Sequence, residues 1–557
     1  MSKYAFMRIA VCVGLALLLL PCPRADAQFN ILVKSSTHFI EVPASADSPD
    51  GPTISLAATL YQPRFFPSAP AVIYIHGWGG RRLMGEDNLA YYIAASGYTV
   101  LSYSARGFGD GESGGHVTLA GPDELSDLSR VIDWLLNDPE DTISPRVGKV
   151  GVIGGSYGGG HGFQIASDPR VSAVIPLIGW TDLEQALYPN GATNYRQGIG
   201  QFYGGLKREQ GAPPFYNYDR LQFEMFDAAA EGRAPTQFVK DSLRARSVAT
   251  TDASGRSTLK AARMPRAPIF IIHSWDDYLF PAPQVLDIYS QITAPKQIYL
   301  GRRGHPPGGH DYDGEEAVIA AQVLRWFDHH LRGIGGTDSR SVTSAPAPFF
   351  WEYYTSQQLG SSDTAPLALY LKAGGQLSRK KKGPTQQEVA GGVFRPQRLR
   401  SSRLGSEVPA RADMFSATVD RSGSLARSLV YTFAPWASDT QTLGLNEFNL
   451  YLSSGTSSVV DVIVRTFDVA PDGTETEVTV GVIRVDGLAP GEVRRVTFRD
   501  YGDNWIFRAG HSLRLKLTNI DFPDFRPPGV NDNLPSEITL HYGKQFPSSV
   551  RVPVLKN

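Results

Sequence analysis

The feature that most constrains this chain is a short apolar run ending in a serine set among glycines. Lys149-Val150-Gly151-Val152-Ile153 reads as a strand, Gly154-Gly155-Ser156-Tyr157-Gly158 as a tight turn, and Gly159 to Ala166 as the start of a helix. A serine at such a turn is lifted from the edge of a sheet on strained backbone, and only small neighbours let the chain pass. The surrounding sequence fits a mainly parallel sheet covered by helices. Ala71 to Ile75, Tyr98 to Tyr103 and Val171 to Ile178 are nearly continuous apolar runs, as strands buried on both faces require. Between them, Asp123 to Leu136 repeats Leu125, Leu128, Val131, Ile132, Leu135 and Leu136 at three- and four-residue steps, the pattern of an amphipathic helix. The G-x-S-x-G pattern alone decides nothing. Gly111-Glu112-Ser113-Gly114-Gly115 also matches, but no strand directly precedes it, and Ser113 is read as a turn serine.

Domain organisation follows from changes in texture. Lys3 and Arg8 precede the apolar run Ile9 to Leu20, and Ala25-Asp26-Ala27 offers a cleavage site, so residues 1–27 read as a secretory signal peptide and the protein as exported, periplasmic or secreted. Pro21 before Cys22 disfavours a lipoprotein. Both cysteines fall in this leader, which leaves the mature chain with no disulfide, thiol nucleophile or cysteine-bound zinc. No later run has transmembrane length. Residues 28–181 and 261–335 form the α/β domain, with 182–260 as an inserted helical cap and 336–348 as a linker. Residues 349–557 read as an all-β sandwich or jelly roll of short strands and turns such as Pro471-Asp472-Gly473. The basic stretch 373–411 reads as a solvated loop. A net charge of -1 gives no general attraction to nucleic acid.

A serine hydroxyl needs a base, and the base needs a carboxylate. After the apolar run Ile269 to Ile272 comes His273-Ser274-Trp275-Asp276-Asp277, where Asp277 is the first choice of acid and Asp276 the second. After Gln297 to Leu300 comes Gly301-Arg302-Arg303-Gly304-His305, which offers His305 as base with His310 as the fallback. His329 and His330 lie near a helix end, where a cationic ring suits the helix dipole. Acyl chemistry also needs oxyanion donors. The Tyr157 amide supplies one, and the loop His76-Gly77-Trp78-Gly79-Gly80 the other, with Trp78 favoured over Gly79. No metal-ligand motif appears, and no cofactor is called for.

These residues resemble the α/β-hydrolase superfamily, and more narrowly the CocE/NonD family that includes cocaine esterase, α-amino-acid ester hydrolases, glutaryl acylases and X-prolyl dipeptidyl-peptidases. The resemblance rests on Arg106-Gly107-Phe108-Gly109, the Ser156 turn, Trp275-Asp276-Asp277, Gly304-His305, Trp326 to Gly333 and the C-terminal segments around Tyr370, Asp461 to Asp468 and Gly481 to Arg484. It implies an α/β-hydrolase fold with a C-terminal jelly roll, and acyl-enzyme hydrolysis by Ser156, His305 and Asp277 on a small ester, amide or short peptide. Ser104 stands where the family often has an aspartate, and the segment 109–115 is longer than usual. The expected activity is that of an esterase or acylase. An X-prolyl dipeptidyl-peptidase is the alternative, and a polymer-binding module the reading outside enzymes.

Overall fold

The computed structural model describes residues 32–556 apart from 67–68, 87, 138–142, 144–147, 201, 203–218, 306–314, 337–341, 345–351, 355–363, 382, 384, 394–424, 456, 522–523 and 527–534. Ten strands form one sheet: β1 (Val33–Pro43), β2 (Thr53–Pro63), β3 (Ala71–Ile75), β4 (Thr99–Tyr103), β5 (Val150–Gly155), β6 (Val171–Leu177), β7 (Ile269–Ser274), β8 (Lys296–Gly301), β9 (Val342–Ser344) and β10 (Glu352–Tyr354). Their spatial order is β1-β2-β4-β3-β5-β6-β7-β8-β9-β10. From β4 to β9 every pairing is parallel, while β1, β2 and β10 join antiparallel.

Side chains that alternate along each strand feed two cores. Ile73, Val152, Ile271 and Ile298 face one layer with Leu128, Val131 and Ile132 of α2 (Pro122–Asn137) and Phe163 of α3 (Tyr157–Ile165). Val72, Ile153, Phe270 and Tyr299 face the other, with Tyr91 and Ile93 of helix Leu89–Ala95 (α1) and Trp326 and Phe327 of helix Glu315–Phe327. Strands covered on both faces cannot alternate polar with apolar, which is why these runs are legible as continuous hydrophobic segments.

Residues between β6 and β7 form the insertion. It holds helices Leu183–Leu187, Arg220–Glu231 and Gln237–Ala245, and also a small antiparallel hairpin, Ala249–Thr251 with Ser257–Leu259, where only helices were expected. The hairpin turn is set by Asp252, whose carboxylate accepts from the amides of Ser254 and Arg256. Strands of three residues are too short to declare themselves by alternation.

The sheet also runs further than expected. It does not stop near Gly335: Val342–Ser344 adds parallel to β8, and Glu352–Tyr354 adds beyond it, so part of the segment read as a linker is strand. From Thr364 to Leu555 a separate, mostly antiparallel network of fourteen strands surrounds its own core, including Leu369, Tyr431, Phe448, Val462, Leu515 and Leu540. Among the described residues no helix is long and apolar enough to cross a membrane.

One polar position differs from the sequence expectation, and a second is buried where an amphipathic helix would expose it. His330 does not favour the cationic form beside its helix end; burial first, then the positive neighbours His329 and Lys149, push its pKa down to about 4. Helix α2 buries Asp127 along with its apolar stripe, and the reason is Arg106. That side chain, 2% exposed, grips Asp127 with two nitrogens at 2.7 and 2.6 Å and donates to the carbonyls of Pro43 and Ala44, tying the β1 end to α2. Removing one member of a buried pair strands the other charge. Arg106→Ala should therefore lower the unfolding free energy measured in urea by about 3–5 kcal/mol.

Candidate active site

Strand β5 runs straight into Ser156, whose φ of 55° and ψ of -113° lie where residues with a side chain rarely go. The strain is held from both sides: the Ser156 amide donates to the Leu177 carbonyl at 2.9 Å, and the Ser156 carbonyl accepts from the Gly160 amide at 3.0 Å. There is no room for larger neighbours. A Cβ on Gly154 would stand 2.7 Å from the Gly158 backbone, and one on Gly158 would stand 2.3 Å from the Ile75 carbonyl oxygen. Ser113 has a different environment. Its hydroxyl accepts from the Ala57 amide and donates to the Ser104 carbonyl, closing a buried turn.

The loops after β7 and β8 meet Ser156. Ser156 Oγ lies 2.8 Å from His305 Nε2, and His305 Nδ1 lies 2.9 Å from Asp277 Oδ2. Asp277 is fully buried, and its other oxygen accepts from the amides of Leu279 at 3.0 Å and Phe280 at 2.8 Å. With one oxygen fixed by backbone, the second is aimed at the ring. A neutral imidazole in this arrangement carries its proton on Nδ1 and accepts the serine proton at Nε2. The two loops are also tied to each other: Ser274 Oγ accepts from the Gly304 amide at 2.8 Å, and the Trp275 amide donates to the Gly301 carbonyl at 3.0 Å. Asp276 points elsewhere, with Oδ1 3.2 Å from the Arg302 guanidinium. His310 lies outside the described residues.

On the opposite side, the loop after β3 passes against the serine: a Cβ on Gly77 would stand 3.8 Å from Ser156 Cβ. His76, absent from the sequence reading as a site residue in its own right, shapes this loop. Its Nδ1 donates to the Gly77 carbonyl at 2.7 Å and its Nε2 accepts from the Ala105 amide at 3.0 Å, a pattern that requires the neutral ring. Burial pushes its pKa down to about 4. The Trp78 indole donates to the Phe202 carbonyl at 2.9 Å and meets Phe108, Tyr157 and Phe202 edge-on at 5.1–5.6 Å. Tyr157 opens α3, where the first amides have no acceptor within the helix. A histidine directly after a strand and before three glycines in four residues is the signal that marks His76.

Phe280 completes an apolar wall, edge-on to His305 at 5.2 Å and 6.4 Å from Phe202. Of the cap aromatics, Trp180, Tyr188 and Tyr195 are buried in packing, Phe202 reaches the site, and Tyr203, Phe215, Tyr216 and Tyr218 lie outside the described residues. A cleft of about 1110 Å³ lies elsewhere, between the cap and the C-terminal domain; its walls include Glu184, Arg233 and Arg484 but no member of the Ser156 group. Among the described residues no cluster of His, Cys, Asp and Glu is arranged to hold a metal ion.

Two family models match the chain: X-Pro dipeptidyl-peptidase of the S15 family over residues 50–307, and the X-Pro dipeptidyl-peptidase C-terminal non-catalytic domain over residues 337–551. The chain belongs to the X-Pro dipeptidyl-peptidase (S15) family. It is a serine hydrolase of that family. A candidate serine esterase of Mycobacterium bovis is 22% identical over 601 residues, which cover 90% of this chain and 91% of that one. An aminopeptidase from a marine sediment Thaumarchaeota archaeon shares the fold with a TM-score of 0.69 at 15% identity, covering 97% of this chain and 99% of that one. A CocE/NonD family hydrolase from Staphylococcus aureus has the same TM-score and identity, with 94% of each chain covered.

The neutral His76 of this family member makes stability depend on pH. The folded state takes up the His76 proton only near pH 4, the unfolded chain near 6.5, so stability present above about pH 6.5 is lost as acid approaches 4. Urea unfolding at pH 7 and pH 5 should differ by about 2 kcal/mol on this account alone, and His76→Gln should flatten that part of the slope.

Proposed function

We propose that Ser156 is the nucleophile, His305 the general base and acid, Asp277 the residue that orients His305, and the amides of Tyr157 and Trp78 the oxyanion donors. The observation that carries this reading is the unbroken line of contacts from Ser156 Oγ through His305 to Asp277, at 2.8 and 2.9 Å, on strained backbone. Ser156 Oγ attacks the substrate carbonyl as its proton passes to His305 Nε2; the carbonyl π electrons move onto oxygen, where the two amides stabilise the charge. When the carbonyl re-forms, the bond to the leaving group breaks and the leaving group takes the proton from His305. Water, deprotonated by the same ring, then releases the acyl group and restores Ser156.

For the substrate, both family models favour cleavage of Xaa-Pro dipeptides from a peptide N-terminus, ahead of the esterase or acylase first expected from sequence. An aromatic wall of Trp78, Phe202 and Phe280 suits a proline ring. The ester reading keeps one specific support: the mycobacterial candidate serine esterase that matches 90% of this chain at 22% identity. We further infer that the C-terminal strands form a jelly roll, because strand Ser549–Leu555 pairs with both Thr364–Lys372 and Glu447–Ser453 around one core. We also propose export, on the leader pattern of residues 1–27.

Hydrolysis of Ala-Pro p-nitroanilide and of a short-chain p-nitrophenyl ester by residues 28–557 tests the substrate. Serine-dependent anilide cleavage at comparable or higher efficiency supports the peptidase; ester turnover alone supports the esterase. Ser156→Ala and His305→Ala should each lower kcat by about 10³-fold or more on the true substrate, and Asp277→Asn by a similar order. Full activity in Ser156→Ala would overturn the assignment.

A further inference from the structure

The two residues that flank Asp277 are both held by the C-terminal domain. On one side, Asp276 Oδ1 sits 3.2 Å from the guanidinium of Arg302, three residues before His305. The same guanidinium forms a two-pronged contact with Asp503 of the C-terminal domain, Nη1 to Oδ1 and Nη2 to Oδ2, the latter at 3.2 Å, and lies 5.5 Å over the ring of Trp505. The side chains of Arg302 and Asp503 are 4% and 3% exposed. On the other side, the Tyr278 hydroxyl donates to Glu477 at 3.3 Å and its ring meets Tyr501 edge-on at 5.7 Å. Tyr278 thereby joins a small apolar cluster of Ala192 from the cap with Ile463, Val480, Val482 and Phe525 from the C-terminal domain. A third tie lies between them: the Ser344 hydroxyl accepts from the Trp275 indole at 3.1 Å and from the Asn504 amide group at 3.0 Å.

Adhesion between domains does not need this arrangement. Burying a guanidinium with two carboxylates carries a desolvation penalty that apolar contact avoids, and its return is a fixed geometry. A planar fork held by two carboxylates sets both at once, so it locks the acid loop and the histidine loop to one external reference.

We propose that the C-terminal domain positions the acid of the triad: Asp503 through Arg302 and Asp276, and Glu477 with Tyr501 through Tyr278, set where the Asp277 carboxylate lies beneath His305. The inference rests on the Ser156–His305–Asp277 reading above. None of these groups reaches a reacting atom; they are positioning residues. The domain matched as non-catalytic supplies no chemistry, yet the chemistry depends on where it stands.

The test uses the mature full-length protein and a fluorophosphonate probe, reading the maximal rate of Ser156 phosphonylation and the probe concentration at half that rate. Asp503→Asn should lower the maximal rate about 10-fold and Tyr278→Phe about 3-fold, with the half-saturating concentration within about twofold of wild type, since misplacement by a fraction of an ångström costs rate rather than binding. In an Asp277→Asn background neither change should lower the rate further, because the group they position is gone. A purely structural role would lower the urea midpoint and leave the rate per folded molecule unchanged; that result, or losses that multiply with Asp277→Asn, overturns the proposal. If Asp503→Asn does not fold, Tyr278→Phe decides it alone. Wild-type protein that the probe fails to label at Ser156 would instead bring down the triad reading itself.

Discussion

Everything at the site depends on how closely the chain passes itself at the end of β5. Gly158 lies so near the Ile75 carbonyl that a single methyl group would collide with it, and the same crowding brings the loop after β3 against Ser156. Strained backbone at Ser156 is unfavourable in isolation and persists only because its neighbours leave no relaxed alternative. The amide held by Leu177 and the carbonyl held by Gly160 tie the serine to the adjacent strand and to its own helix. From that fixed point the placement of a base and of oxyanion donors becomes a matter of which strand ends lie beside it. In this parallel sheet those are the carboxyl ends of β3, next to β5, and of β7 and β8, beyond β6 on the other side.

Polar groups near this point are neutral or paired by their surroundings. His76 and His161 are both pushed down to about 4 by burial, and both therefore act as fixed hydrogen-bonding wedges rather than charges. Arg106 keeps its charge because Asp127 and two backbone carbonyls satisfy it. The segment that resembles the family motif at Arg106-Gly107-Phe108 therefore acts through shape: Arg106 anchors the sheet edge, and Phe108 packs under His76 and Trp78.

Sequence carried the central strands and the Ser156 turn because burial on both faces and a need for glycine leave an unmistakable imprint. It brought Ser156, Asp277 and His305 forward by strand context and order, and the structure sets these three in contact. It did not single out His76, because the ring's inward turn to brace the loop has no imprint of its own beyond the strand before it and the glycines after it. The contacts of Asp276 and Tyr278 were equally hidden, because Tyr278 meets Glu477 about 200 residues away along the chain, and Asp276 is tied to the C-terminal domain only through Arg302, whose partner Asp503 is as distant again. The two strands of the hairpin at Ala249–Leu259 and the strands at Val342–Ser344 and Glu352–Tyr354 are three residues long each, below what periodicity can register.

Those last two strands bear on how the chain avoids its own kind. β8 would otherwise be the rim of the hydrolase sheet, a buried apolar strand with one row of amides and carbonyls open. Such a rim is a template for any other strand that comes near, a second molecule of the same protein included. Val342–Ser344 covers it, and Glu352–Tyr354 covers Val342–Ser344 in turn. A fragment cut at Gly335 to isolate the hydrolase half would bare β8 and become prone to self-association, so the stretch between the two halves serves as a guard on the sheet as well as a connection.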